Sequence, residues 1–101
     1  MSLGDVTEAF AKHLDDFLAK REPPKTFCPS EVARSLSSAE LESAGYDNWR
    51  KAMDDVRQLA QERRTRNELE VLQKGEVINP DILIHDIKGP IRLRRTTNRE
   101  T

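Results

Sequence analysis

Hydrophobic residues recur at helical spacing over the first two thirds of the chain and at strand spacing over the last third. Across residues 5–21, Val6, Phe10, Leu14, Phe17 and Leu18 repeat at intervals of three to four, which puts them on one side of a helix. Pro23-Pro24 stops it, because the residue before a proline avoids helical angles and proline has no amide hydrogen to donate. Thr26-Phe27 then suits a short extended piece. Pro29 fits the first turn of a brief second helix with Val32, Ala33 and Leu36 facing inward, and Ser37-Ser38 marks its end. One further helical turn is predicted over 38–45, with Gly45 as its stop. Asp47 is placed to cap a third helix, in which Trp49, Met53, Val56 and Ala60 repeat at core spacing as far as about Arg64.

After residue 68 the period becomes two. Leu69 and Val71 precede Lys74-Gly75, Val77 and Ile78 follow it, and Ile91 and Leu93 alternate with Arg92 and Arg94. Residues 79–90 form a long loop punctuated by Pro80, Gly89 and Pro90; its apolar centre, Ile82 to Ile84, is left open between strand and loop. The predicted fold class is mainly α with a small β hairpin, an α+β winged helix-turn-helix. It forms a single domain over residues 4–95, with 96–101 as a flexible C-terminal tail. In that plan the third helix enters the DNA major groove and the hairpin, or wing, reaches the flanking backbone. The competing plan, a plain three-helix bundle with a disordered end, conflicts with the period-two pattern.

Composition narrows the classes. In 101 residues, 36% hydrophobic and 35% charged, there is room for one modest core beneath a densely charged surface. The longest apolar run is Ile82-Leu83-Ile84, far short of a membrane span, and no secretion-signal pattern opens the chain, so no membrane partner is expected. A lone Cys28 suits a reducing compartment, and the default location is cytoplasmic. Net charge is −1, which argues against a strongly basic nucleic-acid binder. Residues 1–45 carry −3 and residues 46–101 carry +2, however, so a polyanion should meet the second half.

Four blocks carry a resemblance. Lys25-Thr26-Phe27-Cys28-Pro29-Ser30-Glu31-Val32-Ala33-Arg34, then Trp49-Arg50 with Met53 and Val56-Arg57, then Gln73-Lys74-Gly75, then Gly89-Pro90-Ile91-Arg92-Leu93-Arg94 appear in order over about residues 6 to 95. In these the chain resembles an uncharacterised family of short winged-helix proteins, catalogued as a domain of unknown function. The resemblance implies the winged-helix fold and no established activity. The chain departs from the family pattern at residues 63–67, where a small, glycine-containing exit from the third helix is expected, and at the long segment 79–88. Some members carry ring-cleavage dioxygenase names, a chemistry that needs two histidines and a carboxylate around ferrous iron.

The residues do not supply that chemistry. The only histidines, His13 and His85, lie in different elements, and His13 on the rim of the first helix reads as half-buried packing. Cys28 at the start of the second helix reads as a small buried residue before it reads as a reactive thiol. Lys74-Gly75 and Lys88-Gly89 are turn chemistry without a phosphate-binding glycine loop. No enzyme, cofactor, metal or small-molecule substrate is therefore expected.

Cationic side chains remain. Arg50, Asp54, Arg57, Gln61 and Arg64 form one polar stripe on the third helix, and arginine and glutamine are the residues that read guanine and adenine edges bidentately. Lys74, Lys88, Arg92, Arg94 and Arg95 would put phosphate contacts on the wing. The sequence thus predicts DNA binding by Arg50, Arg57, Gln61, Arg64, Lys74, Lys88, Arg92, Arg94 and Arg95. Blander readings stand beside it: intrahelical ion pairs along the stripe, pairing of Glu31, Arg34 and Arg57 across the helix junction, and charge protecting an edge strand. A protein-interaction module without DNA binding, taking a protein partner or a second copy through an exposed Ile82–Ile84 loop, is the alternative function.

Overall fold

The computed structural model describes residues 3–23 and 25–96, with side chains from Glu8 onward. Pro24, the side chain of Val6 and residues 97–101 of the expected tail lie outside the described residues. Helix α1 (Leu3–Lys20) buries Phe10, Leu14 and Leu18. The chain turns at Pro23 and becomes extended at Phe27, which exchanges both backbone hydrogen bonds with Leu93.

Helix α2 (Pro29–Arg34) opens with proline at its first turn, where a missing amide hydrogen costs nothing. Glu31 reaches back to accept the Cys28 N–H at 3.1 Å. Helix α3 (Ser38–Ser43) has a reciprocal cap: Ser37 Oγ accepts the Glu40 N–H and Glu40 accepts the Ser37 N–H. Gly45, at φ +82°, terminates the turn that follows in the left-handed region, as expected.

The third long element starts differently from expectation. Its cap is Asn48, not Asp47: Asn48 Oδ1 accepts the Arg50 N–H at 3.0 Å. A 3₁₀ turn (Trp49–Ala52) then runs into helix α4 (Met53–Thr65). Val56, Leu59 and Ala60 enter the core, while Met53 and Trp49 are only partly buried against it.

Three strands complete an α+β fold. β1 (Leu69–Gln73), β2 (Glu76–Val77) and β3 (Arg92–Arg95) form an antiparallel sheet in the order β2-β1-β3, with Phe27 bridged to the far edge of β3. The expected single hairpin is thus a three-stranded sheet, because β1 pairs on both sides. Lys74 and Gly75 connect β1 to β2 with φ of +55° and +83°, the positive pair that a tight two-residue hairpin turn requires. Leu69, Val71 and Leu93 point into the core, and Glu70 stands directly opposite Arg94 on the outer face.

Between β2 and β3 the loop is not a free wing. Ile84 begins a 3₁₀ turn (Ile84–Asp86), and it is buried together with Ile87 and Ile91. Each such side chain contributes roughly 1.5–3 kcal/mol of burial, enough to hold the segment down as a strap. Ile82 and Leu83, from the same apolar run, face solvent. Thr96, expected to begin the tail, is anchored: its N–H donates to Glu68 O and its hydroxyl to Asn67 O.

Candidate functional site

The strap crosses the C-terminal half of α4 and is pinned there by two of the predicted readout residues. Gln61 Oε1 accepts the Ile84 N–H at 3.0 Å and a guanidinium hydrogen of Arg64. Arg64, 6% exposed, donates to the backbone carbonyls of Ile78, Asn79 and Ile82. Its burial draws its pKa down, yet three carbonyl dipoles around the guanidinium suit the charged form. Arg64 is thereby withdrawn from the surface, while Gln61 stays half-buried.

The wing arginines are also engaged within the molecule. Arg92 donates to Thr26 Oγ1 and Thr26 O and lies 3.9 Å from Glu31. Arg94 pairs with Glu70 across the strands. Arg95 donates to Leu18 O and Ala19 O, where a cation satisfies the last carbonyls of α1. Lys74 at the hairpin turn and Lys88 in the loop are exposed, and neither makes an ion pair among the described residues.

Of the predicted stripe, Arg50 and Arg57 remain. Arg57 lines a cleft of about 380 Å³ between α4 and the strap, together with Asp54, Gln58, Gln61, Ile84 and His85. Arg50 lies over Trp49, its Cζ 4.8 Å from the ring centroid. Arg34, on α2, lies at the same 4.8 Å from that ring. Of the nine predicted DNA contacts, Gln61, Arg64, Arg92, Arg94 and Arg95 make hydrogen bonds within the fold, Arg92 from an exposed position.

Among the described residues, Glu31 pairs with neither Arg34 nor Arg57 across the helix junction. Glu31 binds Arg21 at 2.8 Å. Burial pushes the Glu31 carboxyl up, but the Cys28 N–H and the Arg21 guanidinium together outweigh it and hold the pKa below the ordinary value. Arg34 turns to Trp49 instead. Sequence reasoning missed this pair because Trp49 falls in the apolar stripe; 15 residues separate it from Arg34, and only the crossing of α2 with the long helix brings them together.

Other polar ties were equally hidden. Arg63, 8% exposed, binds Asp15 of α1 at 3.0 and 3.2 Å, and that carboxylate raises its pKa. His13 bridges Glu40 at 2.9 Å and Ser35 Oγ at 2.9 Å, which makes it a polar link between helices and not simple packing. Cys28 Sγ is half-buried and 2.9 Å from Ser30 Oγ. Among the described residues no three His, Cys, Asp or Glu side chains converge to hold a metal ion. No helix of the described residues is long and apolar enough to cross a membrane.

With this geometry in view, the chain belongs to the family described as Protein of unknown function (DUF3253), whose profile matches residues 7–96. No curated protein matches the chain.

Proposed function

We propose that this protein is a winged-helix module that binds a protein partner through its strapped wing, without reading DNA. The winged-helix assignment is supported by the element order: α1, the extended Phe27, α2, the long helix, β1 and β3, with Phe27 bridged to β3. A cytoplasmic setting, which the free Cys28 thiol suits, and a binding role in place of catalysis belong to the same proposal.

One observation carries the reading. The loop that would serve as a DNA wing is folded onto the readout half of α4 and pinned by Gln61 and Arg64, while its own outer side presents apolar residues. Val77, Ile82 and Leu83, at 49, 46 and 42% exposure, are the exposed large hydrophobics among the described residues; Ile82 and Leu83 lie side by side in this segment and Val77 ends the strand that leads into it. Apolar side chains gathered on a short exposed stretch mark contact surfaces more often than solvated ones.

The test compares the wild-type chain with an Ile82→Asp/Leu83→Asp variant as baits, alongside duplex binding across a salt series. The reading is supported when a protein bound by the wild type is lost by the variant and duplex affinity stays in the weak non-specific range of roughly micromolar or poorer. Light scattering separates a second copy of the chain from a different partner. Tight duplex binding that weakens steeply with salt and survives the loop substitutions would sink it.

A further inference from the structure

The interaction reading makes no use of Arg34, Trp49 and Arg50. The two guanidinium carbons each lie 4.8 Å from the centroid of one indole ring, so the two charges are held within twice that distance of each other. Stacking occupies the flat face of a guanidinium and leaves its in-plane N–H donors free. Among the described residues, neither arginine side chain donates a hydrogen bond or makes an ion pair.

The carboxylates that sequence spacing puts near them make no ion pair with either arginine. Glu31, one turn before Arg34 on α2, is committed to Arg21 and the Cys28 N–H. Asp55 accepts the Tyr46 hydroxyl at 2.6 Å. Asp54, one turn beyond Arg50, approaches no cation within ion-pair distance, and it and Asp47 are exposed. Two neighbouring cations without an ion-pair partner repel each other, and a single anion bridging them would relieve that repulsion.

We propose that Arg34 and Arg50, displayed on Trp49, form a binding site for one phosphate-monoester group. Two adjacent cations are balanced only in part by the single charge of a carboxylate. A phosphate monoester brings three terminal oxygens and close to two negative charges at neutral pH. A nucleic-acid backbone fits less well: it needs cations spread along a track, whereas the wing arginines are hydrogen-bonded within the molecule. Such a group is carried by a free small phosphate or by a phosphorylated side chain of a partner, and the site recognises the same chemistry in both.

Trp49 is the sole tryptophan, so its emission reports the site directly. The full chain is titrated at constant ionic strength with inorganic phosphate, a phosphoserine peptide, its unphosphorylated counterpart and a short DNA duplex. A saturable change with either phosphate probe, absent with the unphosphorylated peptide, supports the site. Matching affinities for the two assign it to free phosphate, and a much tighter peptide assigns it to a modified partner. Arg34→Ala and Arg50→Ala should each weaken binding about tenfold or more. The Arg34→Lys/Arg50→Lys pair keeps the charge and loses the fork, so it should also weaken binding while melting like the wild type. No saturable change with either phosphate probe, unchanged affinity in the alanine double variant, or a response to duplex alone overturns the proposal. The Ile82→Asp/Leu83→Asp variant should bind phosphate as the wild type does, so this site and the partner-binding surface fail independently.

Discussion

Between Trp49 and Arg57 the long helix keeps its arginines on the outside: Arg50 stacks on an indole and Arg57 lines an open cleft, neither with an acidic partner among the described residues. Between Gln61 and Thr65 the same helix has three of its polar residues drawn in, with Gln61 and Arg64 holding the strap and Arg63 holding α1, while Glu62 and Thr65 stay exposed. The repeat of polar residues is continuous across both halves. What differs is whether another segment reaches that stretch of helix. A guanidinium near unpaired backbone carbonyls is recruited as a structural donor, because a buried carbonyl without a partner costs more than a solvated arginine gains. Where no segment reaches, the cation stays free to meet a ligand.

Removing the strap's apolar anchor should produce the largest effect and erase the contrast. Ile84→Ala is expected to cost about 2–4 kcal/mol in chemical denaturation, and amide exchange over residues 78–87 should accelerate. Arg64→Met keeps much of the volume and strands the carbonyls of Ile78, Asn79 and Ile82; a loss of about 1–3 kcal/mol is expected by the same measurement. If Arg64 were a surface cation, its replacement would leave stability unchanged.

Glu31 tests why the open half is open, since its commitment to Arg21 leaves Arg34 without an acid. Its folded-state pKa is depressed, so its contribution is complete above the ordinary glutamate value of about 4.3 and disappears as pH falls through the lower folded value. Glu31→Gln should therefore cost about 1 kcal/mol at pH 7, and the melting curves of variant and wild type should converge as pH falls below the ordinary glutamate range. The smallest effect belongs to the open half. Arg50→Ala and Arg57→Ala should each change stability by no more than about 0.5 kcal/mol. A larger loss would mean that these arginines, too, are part of the scaffold.

Much of the fold was legible in advance because its causes are local. The inward stripe of α1, the proline at the start of α2 and the Lys74-Gly75 turn each act within a few residues, and each appears where the spacing puts it. The errors have local causes as well. Asn48 displaces Asp47 as cap because the helix opens with a 3₁₀ turn, which shifts by one the residue whose side chain meets the first free amide. Of Ile82 to Ile84, only Ile84 turns inward; the 3₁₀ turn that begins there aims successive side chains in different directions, and no periodicity over three residues can choose among them.

The candidate site was legible as chemistry but not as placement. By itself the sequence determined which side chains carry charge, which helix displays them and that a β element follows, since residue identity and short-range periodicity fix these. Only the tertiary structure decided that Arg64, Arg92, Arg94 and Arg95 bind the protein's own carbonyls, hydroxyls and carboxylates while Arg34 and Arg50 share an indole. Apart from Gln61, three residues from Arg64, and Trp49, next to Arg50, the partners of those arginines lie from 14 to 77 residues away. A guanidinium takes whichever acceptor the folded chain brings within hydrogen-bonding reach, and that proximity comes from the packing of distant segments.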